Sequence, residues 1–395
     1  MKKGWEVKKL GEVCEIVNGS TPLRTNKDFW VNGKFPWFTI DDMREQGRFI
    51  NYTKQKVTDI GLTKLRILPK NTVLICCTAS IGEYAITNIE LTTNQQFNGL
   101  IIRQKEILDP IYLMHHCSTL KEVLFEISGK TTIDFISISK LKELKIPIPP
   151  FIEQQRIVAI LDQAFVAIDQ AKTNAQKNLQ NTKDLFESNL QIIFSNKGKG
   201  WEEKRLQDLT THLGDGLHGT PKYTTDGDFY FINGNNLNNG IIEFKESTKR
   251  VSIDQFEKYK KKLTDRTILV SINGTLGNVA FYNKEPIILG KSACYFNLIE
   301  YIDKNFVKYL LTSTIFQRYA NKEATGSTIK NVSLKTMREF LIAFPKSLIE
   351  QQTIVTKLDA LQTETKKLEA IYIQKIADLD ELKKSILQKA FAGEL

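Results

Sequence analysis

Residues 152–162 read IEQQRIVAILD and residues 349–359 read IEQQTIVTKLD, eight of eleven letters agreeing across 197 positions. An amphipathic helix dictates where apolar residues fall, but not that Glu-Gln-Gln must recur. The agreement asks for a longer repeat, and one extends in both directions. GWEVKKLGEV (4–13) stands ahead of the first copy and GWEEKRLQDL (200–209) ahead of the second. GSTP (19–22) is answered by GTP (219–221), and TVLICCTASIGEYAI (72–86) by TILVSINGTLGNVAF (267–281), which sets Gly82 over Gly277. SGKTTIDFISISKLKELKIPIPP (128–150) faces TGSTIKNVSLKTMREFLIAFP (325–345), and LQIIF (190–194) faces LQKAF (387–391). The chain is a tandem duplication with copies of about 197 residues.

Each copy has two parts. The first mixes β-branched and aromatic runs such as TVLICCTA and TILVSI with turn-rich stretches such as NGNNLNNG, which predicts a compact α/β domain. The second, 152–194 or 349–391, holds no Pro and no Gly and is rich in helix formers, which predicts one long helix. The organisation expected is a globular domain over 1–150, a spacer helix over 151–197, a second domain over 198–346 and a final helix over 347–395. Leu161, Phe165, Ile168, Ala175, Leu179, Phe186 and Ile193 form an apolar seam on the first helix. Leu358, Leu361, Leu368, Tyr372, Ile376, Leu379, Leu382 and Ile386 form one on the second. Lys172, Thr182, Asn189 and Thr365 interrupt these seams. Some 43 residues of helix run about 65 Å, longer than a domain of that size is wide. The two helices are therefore expected to pack antiparallel on each other, giving a mixed α/β fold with pseudo-twofold repeats.

Pro147, Pro149 and Pro150 precede the first helix and Pro345 the second, suiting a strand end followed by a first helical turn. Glu153 and Glu350 then complement the positive end of the helix dipole. Neither effect calls for the double Gln. Contact with a partner protein through Glu153, Gln154, Gln155, Glu350, Gln351 and Gln352 is one reading, and a solvated surface is the other.

A net charge of +10 admits a polyanion partner, because each phosphate neutralised by Lys or Arg adds salt-sensitive affinity. No apolar run reaches a membrane-span length and the first residues lack a signal-peptide core, so a cytoplasmic protein is expected. Five cysteines without metal-site spacing read as reduced, mostly buried thiols.

Fragments that imitate enzyme motifs fail on context. GKT (129–131) and GKS (290–292) lack the earlier glycine of a phosphate loop, those positions holding Leu124 and Glu285. GDGLHG (214–219) has neither an apolar strand before it nor a helix-forming run after it. IPPF (148–151) carries Ile148 where an amino-methyltransferase loop needs Asp, Asn or Ser. His115 and His116 are neighbours on a predicted helix and point some 100° apart, while His212 and His218 lack partners at zinc spacing. No catalytic or metal-binding set is predicted.

IPIPPFIEQQRIVAILD, FPKSLIEQQTIVTKLD, the terminal LQKAFAGEL and the openings GSTP and HGTPKY together resemble the DNA-specificity subunits of Type I restriction-modification systems. The likeness covers the full chain; FPKSLIEQQ departs from it by losing the di-proline and gaining a residue. It implies two target-recognition domains, each reading half of a split double-stranded DNA site, and helices that space the halves and dock two methylation subunits. It implies no cofactor on this chain. S-adenosylmethionine would sit on the methylation subunits, and ATP and Mg on the restriction subunits of a full complex. Base and phosphate chemistry favours loop Asn, Gln, Arg, Lys, Ser and Thr. In the first domain the candidates are Ser20, Thr21, Arg24, Lys27, Thr39, Asp42, Thr78, Ser80, Asn94, Gln95, Gln96, Lys130 and Thr131. In the second they are Thr220, Lys222, Tyr223, Asn233, Asn235, Asn236, Asn273, Thr275, Lys291, Ser292, Ser327, Thr328 and Lys330. Trp37 and Phe231 are read as core. Because most loop residues differ between copies, the half-sites are expected to differ. The rivals are a catalytic methyltransferase or nuclease, and a protein scaffold that never reads DNA.

Overall fold

The computed structural model describes residues 4–128, 135–326 and 329–395. Lys130, Thr131, Ser327 and Thr328 lie outside the described residues. The chain resolves into two compact units, Met1–Ala175 with Lys375–Leu395, and Gln176–Gln374. Each unit holds one globular repeat, the first half of the long helix that follows it, and the second half of the other.

In the first unit a five-stranded sheet runs in the order Cys14–Asn18, Phe97–Ile102, Val73–Cys76, Tyr84–Thr87, Phe49–Ile50. All its pairings are antiparallel except the last. Val73–Cys76 is buried at every residue, because helices cover one face and a smaller sheet lies at the other. That smaller sheet joins Gln55–Val57, Phe35–Phe38 and Thr92–Thr93. Trp37 lies in it, buried, its indole N–H donating to the Ser20 carbonyl at 3.2 Å.

The second unit repeats the plan. Thr210–Asp215, Ala293–Leu298, Thr267–Ser271 and Val279–Phe281 form an antiparallel sheet, and a second joins Tyr223–Thr224, Arg250–Val251, Phe229–Ile232 and Ile287–Leu289. Phe231 is buried, as Trp37 is. Gly82 and Gly277 occupy the same turn with φ of +83° and +80°, a conformation that suits glycine. The globular parts are mixed α/β, as expected.

A two-stranded ribbon closes each repeat. Glu6–Lys9 pairs with Lys145–Ile148, and Trp201–Arg205 with Leu341–Pro345, so the GWE start of a repeat lies beside the strand that leads into its long helix. Those helices are single elements, Phe151–Ser195 and Leu348–Ala392. In the first unit they pack antiparallel, with Lys172 on Asp380 at 2.6 Å and Lys383 on Asp169 at 2.9 Å. Ile168 and Ala175 on the seam are buried. The buried interruptions Thr182 and Thr365 bond their hydroxyls to the carbonyls of Asn178 and Leu361 one turn back, which lets a polar group sit in the seam.

All five cysteines are free and buried. Among the described residues no helix is long and apolar enough to cross a membrane, and no cluster of His, Cys, Asp and Glu could hold a metal ion.

Candidate nucleic-acid interface and helix junctions

The repeated Gln-Gln splits into two roles. Gln154 and Gln351 are 0% exposed. Gln154 accepts from the Asp109 backbone N–H at 2.9 Å and donates to the carbonyls of Ile107 and Pro149 at 2.8 and 2.9 Å. Gln351 accepts from Asp303 N–H at 2.8 Å and donates to Tyr301 and Pro345 at 3.1 and 2.9 Å. A glutamine supplies one carbonyl and two N–H groups at one tip, which is what this three-way clamp needs. The expectation that these two residues face a partner is corrected accordingly: their side chains are spent inside their own unit. The spacing agrees with this, since positions 154, 157, 161, 165 and 168 step by three and four along one helix stripe, but the identical neighbour Gln155 masks it.

The clamp is reinforced two turns further along the helix. Asp109 caps the helix Pro110–Cys117, and on that helix His115 meets Asp162 of the long helix at 2.9 Å. In the second unit Asp303 caps Lys304–Thr312, and the Tyr309 hydroxyl donates to Asp359 at 2.5 Å. Burial holds His115 below the ordinary imidazole range, and Asp162 offsets part of that effect. The other junction candidates are less enclosed. Glu153 pairs with Arg156 at 2.7 Å, Glu350 accepts from the Trp201 indole at 3.2 Å, and Gln155 and Gln352 are exposed. Ile152 and Ile349 beside them are 81% and 75% exposed, which the sequence reading missed.

Several of the loop candidates meet at a loop crossing in each unit. Ser20 N–H donates to the Thr93 carbonyl and the Thr21 hydroxyl to Gln95 Oε1, drawing 19–24 onto 93–96. A Cβ on Gly19 would lie 2.2 Å from the Asn94 carbonyl, so only glycine permits this approach. The second unit builds the same crossing: a Cβ on Gly216 would lie 2.1 Å from the Leu289 carbonyl, and Leu217 and Lys291 bond across it. Asn233, Gly234 and Ser292 are linked there, Ser292 donating to Asn233 Oδ1 at 3.0 Å. Thr78 bridges to Phe135, and Asn273 likewise to Asn331.

Ser20, Thr21, Arg24, Lys27, Gln95, Thr220, Lys222, Asn235, Thr275, Lys291 and Lys330 are exposed and Tyr223 is 44% exposed. Thr78, Ser80, Asn94, Gln96, Asn233, Asn273 and Ser292 are half-buried. Thr39, Asp42 and Asn236 are buried in capping roles, a correction to their listing with the DNA-facing loops. Asp42 accepts from the N–H groups of Thr39 and Lys54, and Asn236 from Asn233 N–H while donating to the Glu243 carbonyl. They shape the loops from beneath.

These features define a class of protein: a duplicated recognition scaffold that presents one loop framework twice, with different side chains on each. A family model described as Type I restriction modification DNA specificity domain matches residues 2–180 and again 198–377, and the chain belongs to that family. It is a DNA-specificity subunit and non-catalytic. It is similar to the Type I restriction enzyme MjaIX specificity subunit of Methanocaldococcus jannaschii, with 27% identity over 100% of this chain and 94% of that protein. To the EcoprrI specificity subunit of Escherichia coli it is 31% identical over 39% of this chain and 41% of that one. In fold it resembles a solved chain from work on complex assembly and conformational transition of the type I R-M system, with TM-score 0.82, 20% identity and coverage of 100% and 99%. The HsdS subunit from Thermoanaerobacter tengcongensis gives TM-score 0.65 at 19% identity, covering 100% of this chain and 98% of that one.

Proposed function

We propose that each unit reads one half of a bipartite, asymmetric double-stranded DNA site, while the long helices set the spacing and carry two methylation subunits. The observation that supports this most is the pair of loop crossings at Gly19 and Gly216, alike in backbone and unlike in side chains. S-adenosylmethionine belongs on the methylation subunits in this reading. ATP and Mg belong on restriction subunits of the full complex, and no cofactor belongs on this chain. Methylation docking falls at the two helix starts, through exposed Gln155 and Gln352 with Ile152 and Ile349 beside them, and with Glu153 and Glu350 at the margin.

Sequencing the host's methylated bases with and without this chain is the test. The expected result is one methylated motif of two unlike halves separated by a fixed spacer, lost when the chain is lost. A continuous or palindromic motif, or methylation unchanged by deletion, overturns the reading.

A further inference from the structure

At the outer edge of the first unit's loop crossing, the Arg24 guanidinium lies over the Trp30 ring at 4.0 Å and the Trp37 ring at 4.3 Å. The two indoles meet edge to face at 5.0 Å. Arg24 Nη1 donates to Gln55 Oε1 at 2.6 Å, and Gln55 sits on the strand directly opposite Trp37. Three residues thus hold one exposed cation in place, whereas a surface arginine ordinarily samples many rotamers that binding must freeze out. Among the described residues no carboxylate pairs with Arg24. This ordering therefore does not serve an ion pair.

The second unit keeps an aromatic ring at the place of Trp37 and changes the tip. Tyr223 follows GTP as Arg24 follows GSTP, and it lies 5.9 Å from Phe231, which occupies the place of Trp37. A retained aromatic position with a different tip suits two readers of different half-sites.

The outward chemistry is specific. Gln55 turns its side-chain oxygen to Arg24 and keeps its N–H groups, and Arg24 has only donors, so the pair is rich in donors. The major-groove edge of guanine offers N7 and O6, both acceptors, at the spacing of an arginine fork. The geometry points to Arg24, steadied by Trp30 and Trp37 and oriented by Gln55, as the side chain that reads a guanine in the first unit's half-site. This rests on the reading of each unit as a half-site reader.

The test uses the chain assembled with its methylation subunits, scoring methylation on DNA libraries randomised at one half-site position at a time. The wild type should demand guanine at one position of one half-site. Arg24→Ala should lower that discrimination about 10- to 100-fold, leaving the other half-site and the spacer as they were. Arg24→Lys, which keeps the charge and loses the fork, should also lose discrimination. Tyr223→Ala should alter only the other half-site. Unchanged base preference in Arg24→Ala, or preference retained in Arg24→Lys with only a shallower salt dependence in Arg24→Ala, makes Arg24 a phosphate contact and overturns the proposal alone. A wild type without any base preference overturns the half-site reading as well.

Discussion

Gln154 Oε1 accepts from the backbone N–H of Asp109 at 2.9 Å, tying the first turn of a long helix to the residue that caps a neighbouring helix. Gln154→Ala would leave that N–H and the carbonyls of Ile107 and Pro149 buried without partners. Each unsatisfied group costs about 1–3 kcal/mol, and relaxation recovers some of it, so a loss of about 3 kcal/mol is expected. Gln351→Ala should do the same to the second unit, while Gln155→Ala should stay within about 0.5 kcal/mol of wild type. Urea unfolding followed by a probe in each unit measures both. Unaltered stability in Gln154→Ala would return that residue to a surface role.

His116 gives the first unit an acid sensitivity that its counterpart lacks. It is buried, with one ring nitrogen facing the Lys145 carbonyl at 3.1 Å, and burial pushes its pKa down from 6.5 to about 4. The unfolded chain takes up that proton more readily than the folded one, so stability rises with pH across this window. The contribution is whole above about pH 6.5 and falls away as pH drops to about 4, by about 3 kcal/mol at the limit. His115 shifts in the same direction and adds to the slope. Leu310 stands at the corresponding place in the second unit, so His116→Leu should fold and should flatten the pH dependence between 6.5 and 4. An identical pH profile in the variant would rule out His116 as the source.

Much of this was legible because helices announce themselves over many residues. A stretch such as 152–194 without Pro or Gly leaves few alternatives to a helix, and the duplication supplied the second one. The buried role of Gln154 was hidden by its identical neighbour Gln155, one helical step of 100° away. Asp42 and Asn236 looked like readers because capping and base recognition call on the same side chains. Only the three-dimensional crossing of loops tells which Asx faces inward. Gln55 escaped notice because its partner Arg24 lies far off in sequence and meets it only through sheet pairing.

Ile152 and Ile349 are large apolar side chains left open to water at equivalent positions, each beside an exposed glutamine. Replacing both with Ser should leave folding stability nearly unchanged, because little buried area is lost. If a methylation subunit covers each helix start, the double variant should bind those subunits at least about 10-fold more weakly. Titration of the variant against methylation subunits by calorimetry measures it. Undiminished affinity would place docking elsewhere on the chain.

The helix ends carry anchors that follow the same duplication. Phe194 packs on Phe306 with ring centroids 5.2 Å apart, and Phe391 packs on Tyr112 at 5.1 Å. Phe194→Ala should destabilise the second unit by about 3 kcal/mol through lost burial and a residual cavity. Phe391 is less enclosed, so its truncation should cost the first unit less. Unfolding of the two variants, monitored unit by unit, should show each loss confined to one unit.

If the helices set the spacing, lengthening them must preserve their seam. The seam alternates steps of three and four, so an insertion of seven residues keeps every apolar position in line, whereas four would break the register. Seven residues placed after Ala175 and seven after Gln374, where the chain passes between units, add about 10 Å to each helix. At about 3.4 Å per base pair that is about three base pairs of duplex. The methylated motif of this variant should keep both half-sequences and gain a spacer longer by about three base pairs. A half-sequence that changed while the spacer held would mean that the helices shape recognition and do not measure distance.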